Sequence, residues 1–357
     1  MASIKKDDNG RWTVQYRYTD WQGVRRKSTK RGFKTKHEAE DWFNNYMLVK
    51  DGNLDMDFES FVNIYLDSVK QRIRESTWIN KEYIINIKII PYFKNKKINE
   101  IKPAEIIEWQ NELMLARNSR GELYSQTYLK TIHNQLTAIF NYAVKYYGLK
   151  SNPANIAGSM GSKEAEEMNF WTKEEYEKFA YAMMDKPISY HAFEVLYWTG
   201  ARIGEVLALT PSDFDFENCT MHINKSYQRL NAKDIISEPK TKNSKRTIKI
   251  PKFLSEELRD YIQTVYDVNE KTRIFPVTKS YMHHEMDRGC KETGVKRIRI
   301  HDLRHSHVSL LINMGFSAVA IAERVGHKSI DITYRYSHLF PTTQQEIANK
   351  LDNERNF

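Results

Sequence analysis

Only two cysteines, Cys219 and Cys290, occur among the 357 residues, and their spacing matches neither a metal site nor a disulfide framework. Such sparing use suits a reducing compartment. No apolar run approaches the roughly 20 residues that a membrane-spanning helix needs. The first ten residues, MASIKKDDNG, contain no signal-peptide apolar stretch. These absences weigh against a secreted disulfide scaffold and against a membrane protein. The expectation is a cytoplasmic chain with no membrane partner. Acidic residues are outnumbered: 46 Asp and Glu against 55 Lys and Arg leave a net charge of +9, with a pI near 9.2. That excess favours a polyanionic partner, and with the membrane discounted the partner expected is nucleic acid. What is present is ordinary: 40% hydrophobic and 28% charged residues allow a globular core. The length allows two or three domains.

Residues 11–18, RWTVQYRY, alternate in polarity. Trp12, Val14, Tyr16 and Tyr18 fall on one face of a strand, and Arg11, Thr13, Gln15 and Arg17 on the other. DWQG (20–23) reads as a turn, and VRRKSTKRGF as one or two further strands, crowded with Arg25, Arg26, Lys27, Lys30, Arg31 and Lys34. Thr35 and Glu38 stand at N-cap and N3 spacing ahead of a helix carrying Ala39, Trp42, Phe43 and Tyr46. A small sheet backed by a helix follows, its polar face left open; such a basic sheet can enter a DNA major groove. The residues expected to contact DNA are Arg11, Gln15, Arg17, Arg25, Arg26 and Lys27.

Residues 55–150 read as four helices in a bundle. Phe58, Phe61, Val62, Tyr65, Leu66 and Val69 form one apolar stripe. A second helix runs from about Ser76 and stops near Pro91; a third enters at Pro103; the fourth begins at a Ser cap and ends at Gly148. SNPANIAGSMGSKEAEEM (151–168) is small and polar and reads as a linker. A capping box, Thr172 to Glu175, opens a mostly helical domain with one β-rich interlude at 219–250. The expected fold is α+β, mainly α: a small N-terminal β-sheet plus helix domain (1–52), a helical domain (53–152), a linker (153–168) and a mostly helical domain with a small β-hairpin or sheet (169–357).

Four stretches of the last domain carry chemistry: TGARIGEVLAL (199–209), EPKTKNSKRTIKIP (238–251), RIRIHDLRHSHVSLLINMG (297–315) and ERVGHKSIDITYRYSH (323–338). His301 and His305 in HDLRH imitate the HExxH zinc spacing. However, Arg304 lies between them, the acid is Asp302 rather than Glu, and no third ligand is evident; no metal and no cofactor are expected. Arginines, a lysine and histidines that converge suit an anionic phosphodiester, because guanidinium forks match its oxygens. A tyrosine can then attack phosphorus without a metal, provided cations or a base assist a hydroxyl whose pKa is about 10. Tyr334 and Tyr336 both qualify by position.

These four stretches, in this order and spacing, resemble the tyrosine recombinases, specifically phage and integrative-element integrases. TGARIGE resembles the family's first-arginine motif, PKTKNSKRTI its lysine hairpin, HDLRH its His-x-x-Arg motif and VGHKSIDITYRYSH its closing histidine and tyrosine. The likeness extends over the whole chain and is strongest for 190–340. It implies a site-specific DNA recombinase that cuts and rejoins strands through a 3′-phosphotyrosine. The three domains then become arm-binding, core-binding and catalytic, acting as a homotetramer on two DNA duplexes. Accessory DNA-bending or directionality factors and a nucleoid-associated place in a bacterial cytoplasm follow from the same likeness. In the family pattern the nucleophile follows the closing Gly-His by nine positions, which selects Tyr336 over Tyr334. The resemblance makes Arg202 and Arg304 phosphate clamps and His327 a phosphate ligand. It has His301 assist proton transfer to or from the tyrosine, and Glu205 orient Arg202 or its neighbours. Lys240, favoured over Lys242 and Lys245 by the Lys-Thr pair after Pro239, would protonate the leaving oxygen. His305 would be a structural companion, and the tail 342–353 would dock on a neighbouring protomer. Two rivals are a type IB topoisomerase-like relaxing enzyme, against which the basic N-terminal sheet argues, and a DNA-binding regulator with a decayed site, against which the complete residue set argues.

Overall fold

The alternation at 11–18 does build a strand. In the computed structural model, β1 (Ser3–Lys6), β2 (Trp12–Thr19) and β3 (Arg25–Phe33) form an antiparallel sheet in that order, followed by helix α1 (Lys36–Lys50). The structure describes the chain except for residues 1, 8, 20–24, 51–55, 163–168, 239–244, 266–268, 328, 331–332, 334–335 and 337–357, and the side chains of 18–19, 25–26, 45 and 47–50. The turn expected at 20–23 and the tail 342–353 therefore lie outside the described residues. β1 has no counterpart in the sequence reading; four residues with two lysines carry too little alternation to stand out. Val14, Tyr16, Phe33 and Ala39 form the small core, with Trp42, Phe43 and Tyr46 packed against it. Gly32, at φ +100°, sits where the register shifts: Thr13 pairs with Arg31 but Trp12 with Phe33. This bulge returns Phe33 to the apolar face, from which strict alternation would have turned it. At the helix entry Thr35 Oγ1 accepts from the Glu38 N–H at 3.1 Å, while the Glu38 carboxylate reaches back to the Lys34 N–H at 2.8 Å.

The helical part comprises α2 (Phe58–Lys70), α3 (Glu75–Ile84), α4 (Ile90–Phe93), α5 (Pro103–Leu115), α6 (Gln126–Tyr147) and α7 (Pro153–Ala157). Phe58, Phe61, Val62, Tyr65 and Leu66 of α2 are buried, as their stripe requires. The helix expected to stop near Pro91 runs on to Phe93. A π-helical stretch, Ile85–Ile89, joins α3 to α4 just before the proline. The wider turn shifts the hydrogen-bond register, so the ring and the missing N–H are accommodated. α6 starts at the Ser125 cap and ends at Gly148 in the left-handed conformation. The stretch read as a linker differs in its first half. Asn152 caps α7 through the N–H groups of Ala154 and Asn155, and Pro153, Ala154 and Met160 are buried. Small, polar composition here serves close packing: a Cβ on Gly161 would lie 2.1 Å from the Gln126 carbonyl oxygen. By contacts the chain divides into two units, Met1–Ala165 and Glu166–Phe357.

In the second unit α8 (Lys173–Tyr181) opens with the expected reciprocal cap between Thr172 and Glu175. α9 (Pro187–Thr199) is apolar nearly all round and buried from Ala192 to Tyr197, which makes it the central helix. Then come α10 (Ile203–Val206), β4 (Phe214–Asp215), β5 (Thr220–Ile223), β6 (Ser226–Leu230), β7 (Lys233–Ser237) and β8 (Arg246–Lys249). The chain continues through α11 (Lys252–Thr264), α12 (Lys279–Thr293), α13 (Asp302–Asn313) and α14 (Ala318–Val325). β4, β5 and β8 make one small antiparallel sheet, and β6 pairs with β7 in a hairpin. The mainly helical α+β class expected from sequence is the fold observed.

Candidate active site

The first-arginine stretch is shaped by its glycines. Gly200 ends α9 at φ +63°, and a Cβ there would come within 2.7 Å of the His307 ring. Its carbonyl accepts from Arg304 Nη1 at 2.8 Å, so the turn that launches Arg202 also holds Arg304. Gly204 lets α10 lie against β6; a Cβ would sit 2.6 Å from Ser226 Oγ and 2.9 Å from the Tyr227 oxygen. Between the glycines, Arg202 is half-buried. Its N–H donates to Glu205 Oε2 at 3.0 Å, its Nη1 to Glu205 Oε1 at 2.8 Å and its Nη2 to the Gly326 oxygen at 3.4 Å.

Glu205 is buried and serves a second cation. Arg246 Nη2 lies 3.1 Å from Glu205 Oε2, and Arg246 Nε donates to the Arg324 oxygen at 3.0 Å. Burial works to raise the Glu205 pKa, but the guanidiniums of Arg246 and Arg202 outweigh it and hold the carboxyl below its usual range. Arg246 was not among the residues singled out from sequence. Its signal was there: along β8 it shares parity with the buried Ile248, whereas Thr247 and Lys249 point to solvent. Arg246 and Arg202 together tie β8 and α10 to the end of α14.

α13 carries the densest chemistry. His301 stands exposed at its N-cap, and Asp302 and Arg304 are 1% and 3% exposed. Arg304 Nη2 is buried and has no hydrogen-bond partner among the described residues. Burial first, then the charges of Arg202 and Arg246, push the Arg304 pKa down to about 9. Arg304 is a cation held at a cost, with the Nη2 donors unspent. A buried donor left without a partner calls for an explanation such as a catalytic role, a water or an ion. The histidines are kept neutral. Desolvation, partial at this surface position, with Arg304 and Arg202 behind it, lowers the His301 pKa; burial and His301 bring His305 to about 4; burial and Arg324 bring His307 to about 3. His307, behind Gly200, accepts from Arg324 Nε at 3.1 Å.

α14 ends at Gly326, left-handed at φ +69°, and His327 follows. Its Nδ1 is 2.8 Å from Thr333 Oγ1, and burial together with Arg304 and Arg202 lowers its pKa to about 3. Tyr336 is 2% exposed, its ring packed with Val308, Ile312, Ile321 and Val325. Its hydroxyl hydrogen-bonds His305 Nδ1, and it is close enough to Arg304 to interact with its charge. The structure thus gathers Arg202, Glu205, His301, Arg304, His327 and Tyr336, and adds Arg246, Asp302 and His305. Lys240, Lys242 and Tyr334 lie outside the described residues. Lys245 is paired with Glu238 at 3.0 Å. Among the described residues no group of three His, Cys, Asp or Glu is placed to hold a metal ion, and no helix is long and apolar enough to cross a membrane.

The N-terminal residues singled out from sequence sit elsewhere, in the first unit. Arg17 pairs with Lys27 across β2 and β3, Gln15 with Thr29 and Thr13 with Arg31. Arg11, Gln15, Arg17, Lys27, Thr29 and Arg31 are exposed, and the paired ones project on one face because directly opposed residues share a side. The Arg25 and Arg26 side chains lie outside the described residues. Lys30 is on the other side, over the Trp42 ring at 5.9 Å.

Comparisons with known proteins agree along the chain. The model of the Phage integrase family matches residues 169–343, that of the phage integrase N-terminal SAM-like domain 57–114, and that of the arm DNA-binding domain 3–46. The ICEBs1 integrase of Bacillus subtilis (strain 168) is 32% identical over 310 residues, 83% of this chain and 82% of that protein. The integrase of Staphylococcus phage L54a is 26% identical over 297 residues, 72% of this chain and 81% of that protein. Among solved structures, the Tn1549 transposon integrase in complex with transposon right end DNA aligns with a TM-score of 0.67 at 19% identity, covering 84% of this chain and all of that one (100%). A lambda integrase tetramer bound to a Holliday junction aligns at 0.60 and 17% identity, covering 96% and 95%. The chain therefore belongs to the phage integrase family of tyrosine recombinases and is a site-specific DNA recombinase, an enzyme of DNA strand exchange.

Proposed function

We propose that Tyr336 is the nucleophile, and that Arg202, Arg304 and His327 bind the scissile phosphate of double-stranded DNA. The observation that carries this reading is the buried Arg304, with its unpartnered Nη2, near enough to Tyr336 for their charges to interact. A phosphodiester oxygen supplies the missing acceptor, and Arg202 and His327 share the charge that grows in the transition state. Neutral His327 can donate to an oxygen through one ring nitrogen while the other keeps Thr333. Glu205 and Arg246 fix Arg202. His301, its ring 5.3 Å from that of His305, belongs to the proton-transfer route of the tyrosine. In the step itself the Tyr336 oxygen bonds to phosphorus and the bond to the 5′ oxygen breaks. Lys240 supplies that oxygen's proton, leaving a 3′-phosphotyrosine. The freed 5′ hydroxyl of the partner strand reverses the bond, so its energy is conserved and no ATP is used. Two rounds pass through a four-way junction in a homotetramer.

The domain organisation fits the same reading: 1–52 binds arm sites, 53–152 the core site, and 169–357 catalyses, with accessory bending or directionality factors in a bacterial cytoplasm. The product is integration or excision of a mobile element. Tyr336→Phe should bind a nicked core duplex normally and yield no covalent adduct, whereas Tyr334→Phe should still yield it. An adduct from the Tyr336→Phe protein overturns the assignment. A 5′-bridging phosphorothiolate, whose thiolate leaves without a proton, should rescue Lys240→Ala but not Arg202→Ala; rescue of Lys242→Ala instead would move the acid.

A further inference from the structure

We propose that His305 takes the proton from Tyr336 and that Asp302 supports the charge it acquires, so that cleavage runs on a Tyr336–His305–Asp302 relay. This rests on Tyr336 being the nucleophile. His305 Nδ1 meets the Tyr336 hydroxyl, with the rings 5.6 Å apart and tilted by 52°. On the far side of the same ring, Nε2 is 3.7 Å from Asp302 Oδ1. Asp302 is anchored independently of the histidine: it accepts from the Arg299 N–H at 2.9 Å and from Arg299 Nε at 3.1 Å. Nucleophile, base and orienting carboxylate in this sequence is the arrangement by which a weak hydroxyl is activated.

The tautomer that fits both contacts carries its proton on Nε2 and turns the Nδ1 lone pair to the hydroxyl. The ring is surrounded by His301 on its flank, by the cations Arg304 and Arg299, by Asp302, by His327 and by Tyr336. Burial and the nearby cations keep it neutral near neutral pH, the form that can accept. His301 is exposed at the start of α13 with its ring against the edge of His305.

The step balances. As the Tyr336 oxygen bonds to phosphorus and the 5′ oxygen leaves, the phenolic proton passes to His305 Nδ1, giving an imidazolium beside the Asp302 carboxylate. In the reverse direction the 5′ hydroxyl attacks phosphorus, and the departing phenolate recovers its proton from His305.

The test is single-turnover cleavage by the full chain of a 5′-bridging phosphorothiolate duplex, in which the tyrosine's proton is the one still to be moved. His305→Asn keeps a hydrogen-bonding amide without basicity. At pH 7 it should cleave on the order of 10²–10⁴-fold more slowly than the native chain. Its log rate should climb about one unit per pH unit, because a phenol of pKa about 10 must then ionise unaided, while the native profile stays flat through neutrality. His305→Gln is read in the same way. A loss below about threefold, or a slower variant that keeps the flat native profile, overturns the proposal; so does loss of DNA binding in both variants, which would make the residue structural. Tyr336→Phe in the same assay separates the two readings. An adduct from it removes the nucleophile assignment itself, whereas its absence together with a native His305→Asn profile removes the relay alone.

Discussion

Two sets of cations in this chain make opposite use of the same side chains. On the β2–β3 sheet, Arg17, Lys27 and Arg31 stand in water on an open face. Around α13, Arg304 is 3% exposed, the Arg246 side chain 7%, and Arg202 is tied to both Glu205 and the Gly326 carbonyl. Solvated charges are screened and individually weak, so the sheet can act on a polyanion only through their number. Buried guanidiniums are each fixed by carbonyls and carboxylates, so each is tied to one position and one task. Charge count alone therefore says little about role; burial and partners separate a solvated cationic surface from a packed cationic site.

The comparison is broken most directly at Arg304. Arg304→Lys keeps the charge but loses the fork that reaches both the Gly200 carbonyl and the expected phosphate. Adduct formation should fall on the order of 10²–10³-fold, with core-site binding less affected; an adduct rate within threefold of native would show that charge without geometry suffices. At the sheet, replacing Arg17 and Lys27 together with Ala should weaken arm-site binding and lower the slope of log K against log salt by roughly 0.9 per lost phosphate contact. Cleavage of a short core duplex should be unchanged. Lys30→Ala, on the Trp42 side, is the internal control: it should leave that slope alone and cost about 0.5–1 kcal/mol of stability. An unchanged slope in the double variant would make the open face a merely solvated one. The smallest effect lies outside both sets. The β6–β7 turn holds Ala232 at φ 63°, a conformation that costs an L residue about 1–2 kcal/mol. Ala232→Gly should raise the melting temperature by a few degrees without altering cleavage, as calorimetry would show.

What could be read from the sequence was local. The alternation of 11–18, the caps at Thr35, Ser125 and Thr172, the stop at Gly148 and the stripe of α2 each depend on neighbours within a few residues, and each is present in the fold. Residues named from three of the four motifs do meet, Arg202, His301, Arg304, His327 and Tyr336; Lys240 of the remaining one lies outside the described residues. Other features needed the third dimension. Pro91 reads as a stop because its chemistry is local, yet a π turn one step upstream carries the helix past it. Residues 153–157 read as linker because smallness marks loops and close packing alike. Arg246 went unremarked in the sequence, because the partner that gives it a task, Glu205, lies 41 positions away. His305 read as a companion of Arg304, because its partner hydroxyl lies 31 positions along the chain. Periodicity and capping are set by backbone geometry over a turn or two; which buried cation meets which carboxylate, and which imidazole meets the tyrosine, is decided only when distant segments pack and their polar groups must find partners out of water.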